Sequence, residues 1–167
     1  RELVLALALE AQRVDARVQD RAGDLWFGTG TWRQRLRGGG LSRYDGRSFW
    51  NLTDRNALGH GTVTAVLPTD DGAVWFATRD GGATRLEGDR LRTFGPEDGL
   101  AGRQVLCMAR DRAGDLWFGT DGGASRYDGY RFTTFRTADG LANDAVLCMR
   151  DDGGGGGVVI KSGNPDA

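Results

Sequence analysis

A ten-residue segment occurs twice in this chain, and its repetition constrains the fold more than any other feature. Residues 20–29 and 111–120 both read DRAGDLWFGT, and residues 71–78 carry the related DGAVWFAT. The tryptophans of the last two copies, Trp75 and Trp117, are about 42 residues apart. A period of that length is typical of the four-stranded blades of β-propellers.

Each unit of the repeat continues through further shared blocks. GGLSRYDG and GGASRYDG occupy residues 39–46 and 122–129, and the looser GATRLEG occupies residues 82–88. Two apolar residues and a short closing turn come next. Asp-Gly pairs between short apolar runs are strong hairpin signals, so each unit divides into four strands. In the third unit we predict strands at Val105–Met108, Leu116–Thr120, Ala124–Tyr127 and Phe132–Phe135. The unbroken apolar run of the first of these strands predicts that it is buried on both faces.

The repeat count predicts an all-β chain, a β-propeller segment of three four-stranded blades plus a partial fourth. Closed propellers have about four to eight blades. We therefore expect an open arc or a fragment of a larger ring, completed by further propeller blades or by self-association. The predicted divisions are residues 1–13 as the remnant of a preceding unit, 14–58 as blade 1 with an insertion at 31–37, 63–100 as blade 2, 105–141 as blade 3, and 146–167 as a degenerate blade 4.

Composition and charge exclude several classes of function. The 28 glycines recur at regular spacing and indicate turns between short strands. The net charge of −1 argues against a nucleic-acid partner and against an anionic membrane. No apolar run approaches the roughly 18 residues of a membrane span, so we expect no direct membrane contact. The apolar residues 3–9 lack a signal-peptide layout.

The residues that could carry chemistry have structural explanations. The only histidine, His60, has no metal-spaced partners, and we expect it on a surface loop. Cys107 and Cys148 occupy equivalent places in successive inner strands and are expected to pack as small apolar residues. Asp20 and Asp111 are expected to accept backbone hydrogen bonds in tight turns rather than to bind calcium. We predict no catalytic residue, no metal and no cofactor.

The tryptophans of the repeat and those outside it lead to different predictions. Trp26, Trp75 and Trp117 hold equivalent places, and we expect them to pack between blades. The insertion breaks the repeat, and insertions in repeat proteins often lie on a binding face. Its indole and guanidinium groups suit stacking on sugars and pairing with anions; a tolerated surface loop is the alternative. The candidate ligand-binding residues are Trp32, Arg33, Arg35 and Arg37.

The repeat resembles the two-component regulator propeller repeat. That pattern begins with an apolar strand, an Asp and a turn with Gly. It continues through Leu-Trp-Phe-Gly-Thr and Gly-Gly-Leu-Ser-Arg-Tyr-Asp-Gly to a Phe strand and Asp-Gly-Leu. Residues 111–141 carry it almost without a gap, residues 20–58 carry it with the insertion, and residues 63–100 have Thr69 where the aspartate is expected. A fourth copy begins at Val146 and decays.

The resemblance implies a function that composition alone does not. Members of this family look like periplasmic or extracellular sensor domains of bacterial histidine kinases and related regulators, and many sense oligosaccharides or other small environmental molecules. We therefore expect a non-catalytic ligand-sensing or interaction module, with a kinase attached or not in the full-length protein. A structural or protein-binding propeller without signalling output is the first alternative. A propeller-type lyase is the second, and it is weakened by the lone His60.

Overall fold

The computed structural model describes residues 14–29, 40–53, 62–151 and 158–163, and within them the regular structure is almost entirely β. Two single-turn 3₁₀ helices, Pro96–Asp98 and Thr137–Asp139, are the helical segments. The strands are β1 (Val14–Gln19), β2 (Leu25–Thr29), β3 (Gly40–Tyr44), β4 (Phe49–Thr53), β5 (Val63–Pro68), β6 (Val74–Thr78), β7 (Gly82–Glu87), β8 (Arg90–Phe94), β9 (Val105–Arg110), β10 (Leu116–Thr120), β11 (Gly123–Tyr127), β12 (Phe132–Phe135), β13 (Val146–Asp151) and β14 (Val158–Ser162).

The strands form successive antiparallel meanders. The sheets β1–β4, β5–β8 and β9–β12 each contain four strands in chain order, and β13 pairs with β14 alone. We call these sheets blades 1 to 4. The predicted all-β propeller segment, with three complete blades and a partial fourth, is confirmed within the described residues. Short turns, such as those between β1 and β2 and between β9 and β10, favour this topology because they join antiparallel neighbours directly.

The strands predicted for the third unit are also found. Leu116–Thr120 and Phe132–Phe135 have the predicted limits, whereas β9 continues to Arg110 and β11 begins at Gly123. Sequence reasoning did not identify a register shift in β9 between Val105 and Cys107, opposite Gly119 and Thr120. Equivalent shifts occur in the first strands of the other three blades. An extra residue of this kind bends a strand and increases its twist.

The hydrophobic core lies between blades. One buried cluster joins Trp26 of blade 1 to Phe76 of blade 2, and the next joins Trp75 of blade 2 to Phe118 of blade 3. Trp75 is 2% exposed, and its ring centroid is 5.4 Å from that of Phe118. The tryptophans of the repeat therefore pack between blades, as predicted.

Blade 4 keeps this arrangement with smaller side chains. Ile160 pairs with Met149 in the register in which Phe118 pairs with Met108 in blade 3. Ile160 and the half-buried Trp117 both pack against the third cluster, which joins blade 3 to blade 4. The degenerate sequence thus preserves an apolar face toward blade 3.

The predicted burial of the innermost strands on both faces is wrong. In β9, Val105 and Ala109 are buried, but Leu106, Cys107 and Met108 are only partly buried. The strand is the edge of its sheet, and an edge strand has no sheet neighbour to cover its outer side. Cys107 and Cys148 are free thiols, and burial raises the pKa of Cys107 to about 12.

Candidate functional site

An aspartate opens the first turn of blades 1 and 3 and links that turn to the tryptophan of the next strand. Asp20 accepts the backbone N–H of Asp24 at 3.0 Å and the indole N–H of Trp26 at 2.8 Å. Asp111 makes the equivalent bonds, at 3.0 Å to the N–H of Asp115 and 2.9 Å to the indole of Trp117. The prediction that these aspartates accept backbone hydrogen bonds is confirmed. The bonds to the indoles were not predicted.

A second aspartate of the same turn pairs with an arginine across the sheet. The Nε of Arg43 donates to Asp24 at 2.7 Å, and the Nε of Arg126 donates to Asp115 at 2.6 Å. Arg43 lies opposite Trp26 in the strand register, and its guanidinium carbon is 5.7 Å from the indole centroid. Each of these blades therefore presents a row of Trp and Arg beside two carboxylates.

Blade 2 departs from this arrangement at the turn. Thr69 stands where the first aspartate is expected, and its hydroxyl oxygen lies 2.5 Å from Oδ1 of Asp71 and 3.0 Å from the carbonyl oxygen of Ala73. Arg85, which lies opposite Trp75, pairs instead with Asp71 at 2.8 Å and Glu87 at 2.6 Å. Burial raises the pKa of Asp71, but hydrogen bonds from Thr69, Arg85 and the Ala73 backbone lower it by more than burial raises it. The resulting pKa is about 2, below the usual 3.8.

A groove opens between each pair of these blades at the end where the turns lie. Groove 1, between blades 1 and 2, has a volume of about 350 Å³, and groove 2, between blades 2 and 3, has about 470 Å³. Both volumes lie in the usual range of ligand pockets, about 300–1,000 Å³. The blade repeat therefore produces a repeated concave site, with Trp26 and Arg43 in the first and Trp75 and Arg85 in the second.

The two grooves differ in charge. The described residues that line groove 1 include one basic residue, Arg43, and four acidic residues, Asp20, Asp24, Asp45 and Asp89. Groove 2 is balanced by three of each: Arg85, Arg92, Arg110, Asp70, Asp71 and Asp128. Equivalent sites on one scaffold therefore present different electrostatic environments to a ligand.

Asp70 connects three blades through ion pairs. Its carboxylate is 2.5 Å from Arg21 of blade 1 and also pairs with Arg110 of blade 3. The side-chain hydrogen bond from Arg110 lowers the pKa of Asp70. The turn of blade 2 is thus tied to both neighbouring blades beside the two grooves.

The predicted ligand-binding residues Trp32, Arg33, Arg35 and Arg37 lie outside the described residues, as does His60. The ends of the insertion can still be placed. Thr29 and Gly40 are paired at the far end of β2 and β3 from the turn that opens into groove 1. At about 3.3 Å per residue, the length of β2 places the flanks of the insertion roughly 13 Å from the turn that opens into groove 1. The structure does not bring the described flanks of the insertion to groove 1.

The grooves themselves were missed by sequence reasoning. Trp50 of β4 lines groove 1, and its ring centroid is 6.3 Å from that of Trp26. The repeat contained a signal for the role of Trp50, because this residue replaces non-aromatic residues at the same place in the other blades. Each blade has an arginine in its third strand, and the residue opposite that arginine is Trp50 in blade 1, Arg92 in blade 2 and Thr133 in blade 3. This departure from the repeat within a strand could have indicated a binding residue.

The described residues contain neither a metal-binding cluster nor a membrane-spanning helix. Within residues 14–29, 40–53, 62–151 and 158–163, no group of three or more His, Cys, Asp or Glu side chains is arranged to hold a metal ion. None of the helices found in those ranges has the length and hydropathy of a transmembrane segment.

Known structures with the same fold include extracellular domains of two-component systems. The chain superimposes on the extracellular domain of the hybrid two-component system BT3049 from B. thetaiotaomicron with a TM-score of 0.75 and 21% identity, covering 89% of this chain and 20% of that one. For the corresponding domain of BT4673 from the same organism, the TM-score is 0.68 at 20% identity, covering 92% and 19%. This chain thus spans about a fifth of each domain.

An enzyme also shares the fold. Virginiamycin B lyase from Staphylococcus aureus superimposes with a TM-score of 0.62 and 16% identity, covering 88% of this chain and 48% of the lyase. At such identities the likeness concerns the fold alone. No protein with a curated description matches the sequence.

The sequence itself matches a family model. Residues 99–122 match the model described as two component regulator propeller. They run from the connection after blade 2, through β9, to the turn after β10. The match therefore includes Asp111 and Trp117, whose hydrogen bond closes the first turn of blade 3. Residues 99–122 thus match the two component regulator propeller repeat, within a chain folded as a β-propeller segment.

Proposed function

We propose that this chain is part of a non-catalytic sensing or interaction propeller of a bacterial two-component-type regulator. The match of residues 99–122 to the regulator propeller model carries this proposal. The fold shared with the extracellular domains of two hybrid two-component systems supports it. By the same argument, we propose a periplasmic or extracellular location for the full-length protein.

The ligand class follows from the resemblance and from the sites on the blades. We propose that the module binds an oligosaccharide or another small environmental molecule, and that the insertion at residues 31–37 contributes to binding. Aromatic and arginine side chains at irregular positions of a regular scaffold support this, because repeats keep their core while departures from the repeat are available for recognition.

A propeller without signalling output is the first alternative. Its blades would bind a protein partner, and the ion pairs of Asp70 would only hold the arc together. The sequence on either side of this segment in its gene discriminates the two. Transmembrane and kinase segments in the same reading frame support sensing, and their absence supports the interaction role.

A lyase is the second alternative, favoured by the fold shared with virginiamycin B lyase. The pairing in the described blades argues against it. Asp20, Asp111, Asp24 and Asp115 are all committed to hydrogen bonds within their own blade. General acid–base catalysis needs a titratable group within reach of the substrate and free to exchange a proton.

One experiment tests the binding role against the enzymatic one. The purified chain is screened by isothermal titration calorimetry against neutral and anionic oligosaccharides, and virginiamycin B is incubated with it and followed by mass spectrometry. We expect saturable binding of a small molecule and an unchanged virginiamycin mass. Turnover of the antibiotic would contradict the non-catalytic assignment.

A matched pair of variants tests the insertion. Replacing its tryptophan and three arginines together by Ala and Ser should leave the melting temperature nearly unchanged. Surface substitutions away from the packed repeat usually change the free energy of unfolding by less than about 0.5 kcal/mol each. The same variant should bind an anionic oligosaccharide more weakly. Arg131→Ser, on the exposed β11–β12 hairpin, is the charge-removal control. Unaltered affinity of the insertion variant would remove the insertion from the site.

A further inference from the structure

Trp50 has no role that the blade fold requires. It occupies the position that Arg92 holds in blade 2 and Thr133 holds in blade 3. Those two sheets form with the same strand order and without an aromatic residue at that place. Trp50 is nevertheless 42% exposed, and an exposed indole at a position the core does not need is a candidate for ligand contact.

The surroundings of Trp50 define a small site. Trp26 contacts it edge to face at an interplanar angle of 72°, and both rings line groove 1. Phe49, the preceding residue, is also exposed but does not line the groove. Successive residues of a strand face opposite sides of the sheet, so Phe49 lies on the other side of blade 1.

The charges of groove 1 select the kind of ligand. The described side chains that line it carry four carboxylates against the single guanidinium of Arg43, which is already paired with Asp24. The carboxylate of Asp45 accepts hydrogen bonds from the backbone of Ser48 and Arg47, and these lower its pKa. Groove 2, at the equivalent place, has no such excess of negative charge among its described lining residues.

We propose that groove 1 is a binding site for an alkylguanidinium cation, that is, an arginine side chain either free or within a peptide. A planar guanidinium can stack on an indole while its N–H groups pair with carboxylates. The site offers both partners, with Trp50 as the stacking surface and the exposed Asp45 and Asp89 among its lining residues. The inference rests on the proposed function, because it names the ligand class of one site on the non-catalytic module.

The test uses the whole chain and two pairs of probes. N-acetyl-arginine amide and an arginine-containing tetrapeptide represent the free and peptide sources, and the citrulline analogue of each has the same shape without the charge. Binding is followed by NMR through the indole N–H signals. We expect the signal of Trp50 to shift with both arginine probes, and the citrulline analogues to bind at least about tenfold more weakly. The better of the two arginine probes identifies the source.

Variants connect the signal to the site. Trp50→Thr, which copies blade 3, should weaken arginine binding about fivefold or more, and Asp89→Asn should also weaken it. Phe49→Thr removes an exposed aromatic residue from the same strand and should leave affinity unchanged. Raising the salt from about 0.05 M to about 0.5 M should weaken binding, because exposed charges are then screened.

Several results would overturn the proposal. These are equal binding of arginine and citrulline probes, an arginine affinity unaffected by Trp50→Thr, or no binding of either arginine probe. If a neutral oligosaccharide shifts Trp50 and arginine does not, the cation site is refuted while the sensing function stands. If no small molecule binds the chain at all, the proposed sensing function fails as well.

Discussion

Replacing Trp75 by Ala should destabilise the chain more than any other single truncation among its described aromatic residues. Trp75 is 2% exposed and stacks on Phe94 at 5.2 Å within its own blade. Its ring also lies 5.4 Å from those of Phe118 and Tyr127, both in blade 3. The substitution therefore removes packing within blade 2 and across its junction with blade 3.

The magnitude follows from burial. A buried Trp removes about 150–250 Å² from water, which at about 25 cal/mol per Å² gives an upper bound of roughly 4–6 kcal/mol. Measured Trp-to-Ala changes in cores cost about 3–5 kcal/mol. We therefore expect a loss of about 3–5 kcal/mol, a large part of the roughly 5–15 kcal/mol that stabilises a typical domain.

Urea denaturation followed by both fluorescence and circular dichroism measures this loss. Coincident transitions by the two probes would justify a two-state free energy. Tyr130→Ala is the control, because that ring is 95% exposed, and it should change the free energy of unfolding by less than about 0.5 kcal/mol. A loss below about 1 kcal/mol for Trp75→Ala would refute the claim that the blades are held together by their tryptophans.

Three further predictions concern the turns and the ends of the arc. Asp111→Ala removes the acceptor of both the Asp115 N–H and the Trp117 indole N–H, and urea melts should show a loss of roughly 2–4 kcal/mol in the free energy of unfolding. Thr69→Ala, at the equivalent place in blade 2, should lower that free energy by only roughly 0.5–1.5 kcal/mol. Equal losses would contradict the assigned role of the carboxylate. The pKa of Asp71 is about 2, below its usual 3.8, so the contribution of its carboxylate to stability is present above pH 4 and is lost as the pH falls from 4 to 2. Asp71→Asn should therefore flatten the pH dependence of the melting temperature between pH 4 and pH 2, and an unchanged profile would refute the pairing. Among the described residues, blades 1 and 4 each have a neighbouring blade on one side only, and we expect the chain to self-associate through the other side. Light scattering at micromolar concentration should then report an oligomer or aggregate, and a monodisperse 18 kDa monomer with a cooperative melt would refute self-association.

The sequence predicted the blades because their signals are local. Asp128 and Gly129 mark the hairpin between β11 and β12, and Asp98 and Gly99 mark the turn that closes blade 2. Gly99 has a φ of 101°, a conformation that glycine adopts without strain. Turn chemistry of this kind can be identified without knowledge of the tertiary fold, which is why the strand limits of the third unit were close.

The features that sequence reasoning missed depend on tertiary contacts. Apolar runs such as that of β9 indicated full burial, but burial depends on what covers the edge of the sheet, and the run does not contain that information. The grooves arise where two blades meet, so residues distant in sequence, such as Arg43 and Asp89, line one site. Trp50 could have been identified by aligning the outermost strands of the units. The insertion was identified, but its residues lie outside the described structure.

The central claim is that successive repeat units pack as blades through the aromatic residues at their junctions. Contacts between the rings of Trp75 and those of Phe118 and Tyr127 test it most directly, because these rings belong to different blades and their centroids are 5.4 Å apart. An NMR spectrum of the chain with labelled aromatic residues should show nuclear Overhauser effects between the Trp75 indole and both rings. Effects confined to Phe94, within the same blade, would contradict the account.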